Sequence, residues 1–291
     1  MFNSDKSQSP FFSKKFLEAL LELELKQEEI DLHIDSLETL LLKIEENTLV
    51  PVGDRNYVDY RSISDKKKSI VSILKEARFE KIFIDSVQFE EIQSLQESLT
   101  KSNFNINLTP SDISVYIELP KTYEEYLGSL DKKKRHELKR KLKKFTKEFS
   151  EYEILKGNSK DQCSSFIELH KNSSKEKDEF MTKDIQEFFS RLLNIDGWTI
   201  YLLLVKGEVA AGNFCFENKK ALYLYNSGKN KVFDDFSVGM FLTHHLIKES
   251  IKQKKKTFDF LKGSERYKFD LGGVPKQLYD IEIKKYEDTT H

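Results

Sequence analysis

The sequence predicts an α/β fold, of the mixed α+β kind, built from two related halves. Three observations carry that prediction. The 291 residues are enough for about two domains at ~150 residues each. Short apolar runs of strand length alternate with segments of helical period along the chain. Hydrophobic residues make up 38% and aromatic residues 12% of the total, enough to fill real cores, which excludes wholesale disorder.

Residues 1–10 have no apolar period and are expected to fray. From Ser13 to about Lys26, leucines and Phe16 recur at helical spacing, with Ser13 as the cap. Thr39–Ile44 and Asn47–Val52 read as a strand pair around Glu45-Glu46-Asn47. A helix over Ser64–Ala77 leads to a strand at Lys81–Asp85, a helix at Phe89–Lys101 and a strand at Ser114–Leu119. Tyr123–Phe149 is helical throughout, with Thr122 as its cap and a single apolar stripe of Leu138, Leu142, Phe145 and Phe149. The second half opens with strand Tyr152–Leu155 and helices Lys160–Ser174 and Thr182–Leu193. Strands Trp198–Val205, Glu208–Glu217 and Ala221–Ser227 follow, the first two joined by the tight turn Lys206-Gly207. A long helix, Ser237–Gln253, then strands Thr257–Leu261 and Leu278–Lys285 complete the order β-α-α-β-β-β-α-β-β.

Charge and cysteine usage narrow the function. With 48 basic against 49 acidic residues the net charge is −1, so no global field draws in nucleic acid or membrane. The basic residues comprise 41 Lys and 7 Arg, a bias that weakens any single lysine run as a functional signal. Cys163 and Cys215 follow no paired spacing, so a disulfide framework or a cysteine zinc site is not expected. Apolar runs such as Tyr201–Val205 fall far short of the ~18 residues of a membrane span. Met1–Phe16 is polar, without the apolar stretch of a signal peptide, so a cytoplasmic location is expected. Nine of the 11 glycines (157, 197, 207, 212, 228, 239, 263, 272, 273) follow position 150, which puts a ligand-handling backbone in the second half.

The second-half element order resembles the GNAT acetyltransferase fold, and three segments sharpen the likeness. Leu119-Pro120 through Tyr126, with Leu130 and Arg135 to Arg140, is similar to the opening motif of the BioF2-like, or CelD-type, acetyltransferases, a family related to the FemAB aminoacyltransferases. Phe166 to His170 is similar to a further family element. Asp259-Phe260-Leu261-Lys262-Gly263-Ser264-Glu265-Arg266-Tyr267-Lys268 is the most specific match. The likeness covers residues 115–285, with Phe269-Asp270-Leu271 where the family usually carries a tryptophan. Leu49–Tyr60 and Lys81–Asp85 match faintly, as a degenerate first GNAT half. The resemblance implies a tandem GNAT-like fold: a degenerate domain over 1–120, a charged connecting helix over 121–150 and an acyltransferase domain over 151–291. It also implies acyl-CoA, such as acetyl-CoA, as co-substrate, and an amine or hydroxyl of a sugar or cell-envelope-related small molecule as acceptor.

Acyl transfer from a thioester needs a cradle for an anionic donor, a hydrogen-bond donor to the carbonyl and a base for the acceptor. A helix N-terminus after Gly228 and Asn230, at Ser237, Val238 and Gly239, is the expected cradle; the competing view makes Ser237 an ordinary N-cap. Asp259, opposite in facing to Phe258 and Phe260, is expected to have a raised pKa and to act as base or anchor; otherwise it pairs with Lys262 or Lys268. Glu265, Tyr267 and Lys268 complete the catalytic candidates, as proton acceptor, proton or hydrogen-bond donor and cation, against a plain solvated loop. Arg135, Arg140, His170, Tyr225 and Lys262 are the substrate-side candidates, although a lone histidine on an apolar helix face is more often a core residue. His244-His245 point about 100° apart on a helix and form no metal pair; no metal is expected. Ten Lys/Arg against three acids between Asp131 and Phe149 also admit tRNA binding, as in the FemAB relatives, or an anionic membrane surface. The alternatives to an acyl-CoA enzyme are thus an aminoacyl-tRNA-dependent transferase and a non-catalytic binding module.

Overall fold

The computed structural model describes residues 9–27, 35–37, 40–63, 73, 80–99 and 104–285. The expected helix over Ser64–Ala77 lies outside these except for Ile73, which is helical and buried. Of residues 1–10, expected to fray, the first eight lie outside, whereas Pro10 is buried at the start of a 3₁₀ turn, Pro10–Phe12, so it is not frayed. The chain divides into two compact units, residues 1–113 with 277–291, and residues 114–276. That division differs from the three segments expected from sequence. The last strand of the chain returns to unit 1, and the charged helix is part of unit 2.

Unit 1 contains α1 (Lys14–Gln27), β1 (Asp35–Leu37), β2 (Leu40–Glu45), β3 (Thr48–Pro51), β4 (Lys81–Gln88) and α2 (Phe89–Leu99). Ser13 caps α1 as expected, its hydroxyl accepting from the Phe16 N–H at 3.3 Å. β2 and β3 form the anticipated hairpin, with Lys43 opposite Val50 and Ile44 opposite Leu49. β3 runs parallel to β4 over only two pairs, Thr48–Lys81 and Leu49–Ile82. Its core is aliphatic: Leu40, Leu42, Leu49, Ile82, Ile84 and Ile92 are buried with Ile281 and Ile283.

The chain leaves unit 1 along β5 (Phe104–Glu118), whose last residues, from Ser114, belong to unit 2. Sequence alone showed only that end, because Asn, Thr, Pro and Ser break the apolar pattern before it. The expected single helix over Tyr123–Phe149 is two, α3 (Tyr123–Ser129) and α4 (Lys132–Glu148). Asp131 causes the break: its carboxylate accepts from the Lys134 N–H at 2.8 Å, which starts a new helix rather than continuing the old one. Unit 2 continues with β6 (Tyr152–Gly157), α5 (Lys160–Ser173), α6 (Lys175–Phe180), α7 (Lys183–Leu192), β7 (Trp198–Val205), β8 (Glu208–Glu217) and β9 (Ala221–Lys229). A 3₁₀ turn (Lys231–Phe236), α8 (Val238–Lys252), β10 (Thr257–Lys262), α9 (Arg266–Asp270) and β11 (Val274–Lys285) follow.

β6, β7, β8 and β9 form an antiparallel meander, β10 lies parallel to β9, and the end of β5 is antiparallel to β10. Neighbouring residues of β8 show that helices cover both faces. Asn213 donates its amide to Thr243 of α8 at 3.2 Å, while the next ring, Phe214, packs 5.6 Å from Phe166 of α5. Side chains alternate along a strand, so α5 and α8 lie on opposite sides of the sheet. Unit 1 repeats the same sequence of pairings, antiparallel hairpin, parallel neighbour, antiparallel closing strand, with β2–β3, β4 and β11.

Candidate active site

The β9–β10 pair opens into a slot, and the cause is local. Parallel pairing covers Ala221–Thr257, Leu222–Phe258 and Tyr223–Asp259 and then stops. Just beyond, β9 slips against β8 between Leu224 and Asn226, and β10 slips against β5 between Asp259 and Lys262. A bulge bends the strand that carries it, and two bulges at one level turn the strands apart. Leu261 takes a φ of 60°, and its N–H donates to Asp259 Oδ1 at 2.8 Å. Asp259 is buried there, at the fork.

On one side of the opening stands the start of α8. Ser237 has φ 53° and ψ 41°, and no side-chain hydrogen bond caps the helix, so the ordinary N-cap reading of Ser237 fails. The first amides of a helix have no acceptor within it, and those of α8 are left to the backbone turn alone. A Cβ built on Gly239 meets nothing within 4 Å. The first turn of α8 therefore combines donor N–H groups, the positive end of the helix dipole and open space, a fit for a diphosphate.

On the other side, five side chains converge. The Tyr267 phenol hydrogen-bonds the Ser227 side chain of β9. Lys177 of α6 donates its ammonium to the Ser227 carbonyl, and the Glu265 carboxylate acts electrostatically on both Lys177 and Tyr267. Lys268 Nζ lies 2.9 Å from Glu265 Oε2 and also donates to the carbonyls of Lys262 and Gly263. Gly263 is required at that turn: its φ is 108°, and a Cβ would sit 2.3 Å from Glu265 Oε2. Burial, reinforced by Glu265, raises the Tyr267 phenol far above its ordinary value, so it is a neutral O–H donor near pH 7. Burial lowers the Lys177 ammonium, against the opposing pull of Glu265.

The structure thus brings together Glu265, Tyr267, Lys268 and the Lys262 carbonyl, leaves Asp259 at the fork, bonded to the Leu261 N–H, and sets Ser237, Val238 and Gly239 at the N-terminus of α8. Other sequence candidates are taken up by the fold. Gly228 is buried and backs onto the His170 main chain, where a Cβ would meet atoms at 3.0 Å; it is a packing glycine, not a cofactor contact. Asn230 caps the 3₁₀ turn through the Val232 N–H at 3.0 Å and donates to Glu208 at 2.9 Å. The Tyr225 ring packs among Phe189, Phe214 and Trp198, because the bulge keeps it on the α5 face. His170 is 1% exposed with Nε2 2.7 Å from Asn226 Oδ1, a core histidine. Arg135 donates to the Leu127 carbonyl at 3.2 Å, joining α4 to α3, and Arg140 pairs with Glu137 on the exposed face. Sequence reasoning missed Lys177 and Ser227. Lys177 sits in a six-residue helix that lacks a periodic apolar stripe; only Ser174, its cap, announced it.

The buried histidines give the unit an acid sensitivity of predictable sign. Burial lowers His170 and His244 from 6.5 to about 4; Lys177 adds to the first, Lys248 and His245 to the second. Between pH 6.5 and 4 the unfolded chain binds protons that the folded chain refuses, so stability falls as pH falls through that window, by at most about 3 kcal/mol per histidine. His244 Nε2 lies 2.8 Å from the Tyr123 hydroxyl. A His244→Gln variant, which keeps a hydrogen-bonding partner there, is expected to lose about half of the excess drop in melting temperature between pH 7 and pH 4.5, measured by circular dichroism.

Residues 132–269 match the family described as Acetyltransferase (GNAT) domain. No curated protein matches the sequence. Solved structures share the fold at low identity. A conserved protein of unknown function from Bacteroides thetaiotaomicron VPI-5482 has a TM-score of 0.62 at 14% identity, covering 96% of this chain and 93% of that one. FemX gives 0.59 at 13%, covering 83% of each. A C-terminal DUF2156 domain from Agrobacterium fabrum gives 0.59 at 10%, covering 94% and 92%. The fold is GNAT-like, and the match over residues 132–269 to a GNAT acetyltransferase domain makes the protein an acyltransferase. Among the described residues no helix is long and apolar enough to cross a membrane, and no group of His, Cys, Asp and Glu could hold a metal ion.

Proposed function

We propose that the protein transfers an acyl group from acyl-CoA to an amine or hydroxyl of a small acceptor such as a sugar or cell-envelope precursor, and that it is of the BioF2-like, CelD-type branch. The motif from Asp259 to Lys268 supports the branch. The observation that carries the reaction is the slot: β9 and β10 part after three residue pairs, beside a helix start with open space at Gly239. The thioester supplies an activated carbonyl carbon. Val238 and Gly239 amides hold the diphosphate end, and the edges of β9 and β10 flank the arm. Tyr267, neutral and set by Ser227, donates a proton toward the departing sulfur. Asp259 or Glu265 receives the acceptor's proton, and Lys268 holds the turn that aims Glu265. Among the described residues of unit 1 the corresponding place is filled: where β3 and β4 part, Arg61 is buried against the Val52 and Gly53 carbonyls and Asp85.

Gly239→Asp tests the cradle. An acidic residue in the first turn of a helix is stabilising by about 0.3–1 kcal/mol, and the site has room for it, so the variant should melt no lower than the parent. The same carboxylate repels a diphosphate. The parent's melting temperature should rise with acetyl-CoA, and the variant should bind it at least tenfold more weakly by calorimetry. If acetyl-CoA fails to bind the parent while aminoacyl-tRNA does, the donor assignment passes to the FemAB-like alternative.

A further inference from the structure

α4 turns its apolar residues inward. Phe145 stacks on Phe241 of α8 at 3.8 Å, and Phe149 packs edge-on against Phe236 at 4.7 Å in the 3₁₀ turn that leads into α8. Lys144 Nζ donates to the Asp235 carbonyl of that turn at 2.9 Å. The helix is therefore fastened beside the mouth of the donor slot. Its outer face carries Lys132, Lys133, Lys139, Lys143 and Lys147, all exposed. Lys134 and Arg140 have acidic partners, Asp131 and Glu137, whereas these five have none among the described residues. From Lys132 to Lys147 the row spans roughly 22 Å at 1.5 Å per residue.

Such a row is costly to the helix by itself, since like charges one turn apart repel. It is also a local feature, in a chain whose net charge is −1. A small-molecule diphosphate is served by the start of α8 and does not reach along such a length. The row fits a macromolecular polyanion held next to the slot. In the 3₁₀ turn that α4 packs against, Val232 is 76% exposed, an apolar side chain open to a partner. Single-stranded RNA is gripped with exposed aromatic rings and arginine forks; here the aromatic rings of α4 face inward, and the outer row is lysine.

We propose that α4 and Val232 form the docking surface for an acidic carrier protein, which presents the acyl group on a tethered phosphopantetheine arm to the β9–β10 slot. This rests on the donor-slot reading above. The acceptor's nitrogen or oxygen attacks the thioester carbon, the new C–N or C–O bond replaces the C–S bond, and the acceptor's proton ends on the carrier's thiol.

Fluorescence anisotropy with a labelled acyl carrier protein tests the proposal. The parent should bind the arm-bearing carrier, and binding should weaken at least tenfold between about 50 and about 200 mM salt, as expected for a contact of exposed charges. The variant Lys132→Glu, Lys139→Glu, Lys143→Glu, Lys147→Glu should lose at least tenfold in affinity while melting normally and binding acetyl-CoA as the parent does. Equal affinity of parent and variant for the carrier overturns the proposal, as does binding of labelled tRNA in preference to the carrier. The carrier lacking its arm should still dock through α4, only more weakly. Failure of acetyl-CoA to bind the parent, with armless docking intact, overturns the donor slot and leaves the docking surface standing.

Discussion

Replacing Tyr267 by Phe is expected to lower turnover about 100- to 1,000-fold while leaving the affinity for acetyl-CoA within about twofold, the size associated with losing one positioned proton donor. The ring is held at the mouth of the slot, 6.1 Å from Phe260, and phenylalanine preserves that packing. Only the hydroxyl, with its bond to Ser227, is removed. Because burial and the Glu265 charge keep the phenol protonated, the parent's rate should not fall at alkaline pH through this group until the protein itself unfolds. Release of free thiol from acetyl-CoA in the presence of a competent acceptor reports turnover, and calorimetry reports the donor's affinity. A variant with normal turnover would remove Tyr267 from the chemistry and leave it as packing.

The second large effect concerns stability. Lys268→Met is expected to destabilise the protein by about 3 kcal/mol, because a 2% exposed ammonium gathers two carbonyls and a carboxylate, and each buried acceptor left without a donor costs about 1–3 kcal/mol. At the usual scaling for a unit of this size that is roughly a 6–12 °C drop in melting temperature. Glu265→Gln should cost less than about 1 kcal/mol, since the Glu265 side chain is 58% exposed and an open ion pair is weak. The contrast identifies the carbonyls of Lys262 and Gly263 as the main partners of Lys268. Urea titration of both variants measures it. A Lys268→Met protein as stable as the parent would mean that the Gly263 turn holds itself.

The candidate site was legible in part. The ten-residue stretch from Asp259 to Lys268 and the glycines at 239 and 263 were visible as letters with few alternatives. Arg140, Tyr225 and Asn230 were visible too, and were misplaced, because a residue type says what a side chain can bond and not what lies beside it. Tyr225 is the instructive case. Strand alternation is a sound rule, but one extra residue in β9 keeps Tyr225 and Asn226 on the α5 face, and no local pattern announces such a slip. Lys177 was invisible for a similar reason, its importance lying entirely in Ser227 and Glu265, residues distant along the chain.

By itself, the sequence determined most strands and the longer helices of the second half to within a residue or two, since their periods of two and 3.6 are local steric properties. The short helices Lys175–Phe180 and Arg266–Asp270 and the start of β11 were not visible in it. It also determined the family likeness, carried by the motif near the end of the chain. Only tertiary structure decided that β9 and β10 part after Tyr223 and Asp259, that β11 returns to close unit 1, and that Lys177 meets Ser227. Those depend on paired bulges and long-range strand pairing, which are free-energy choices of the whole packed chain and not of any window within it.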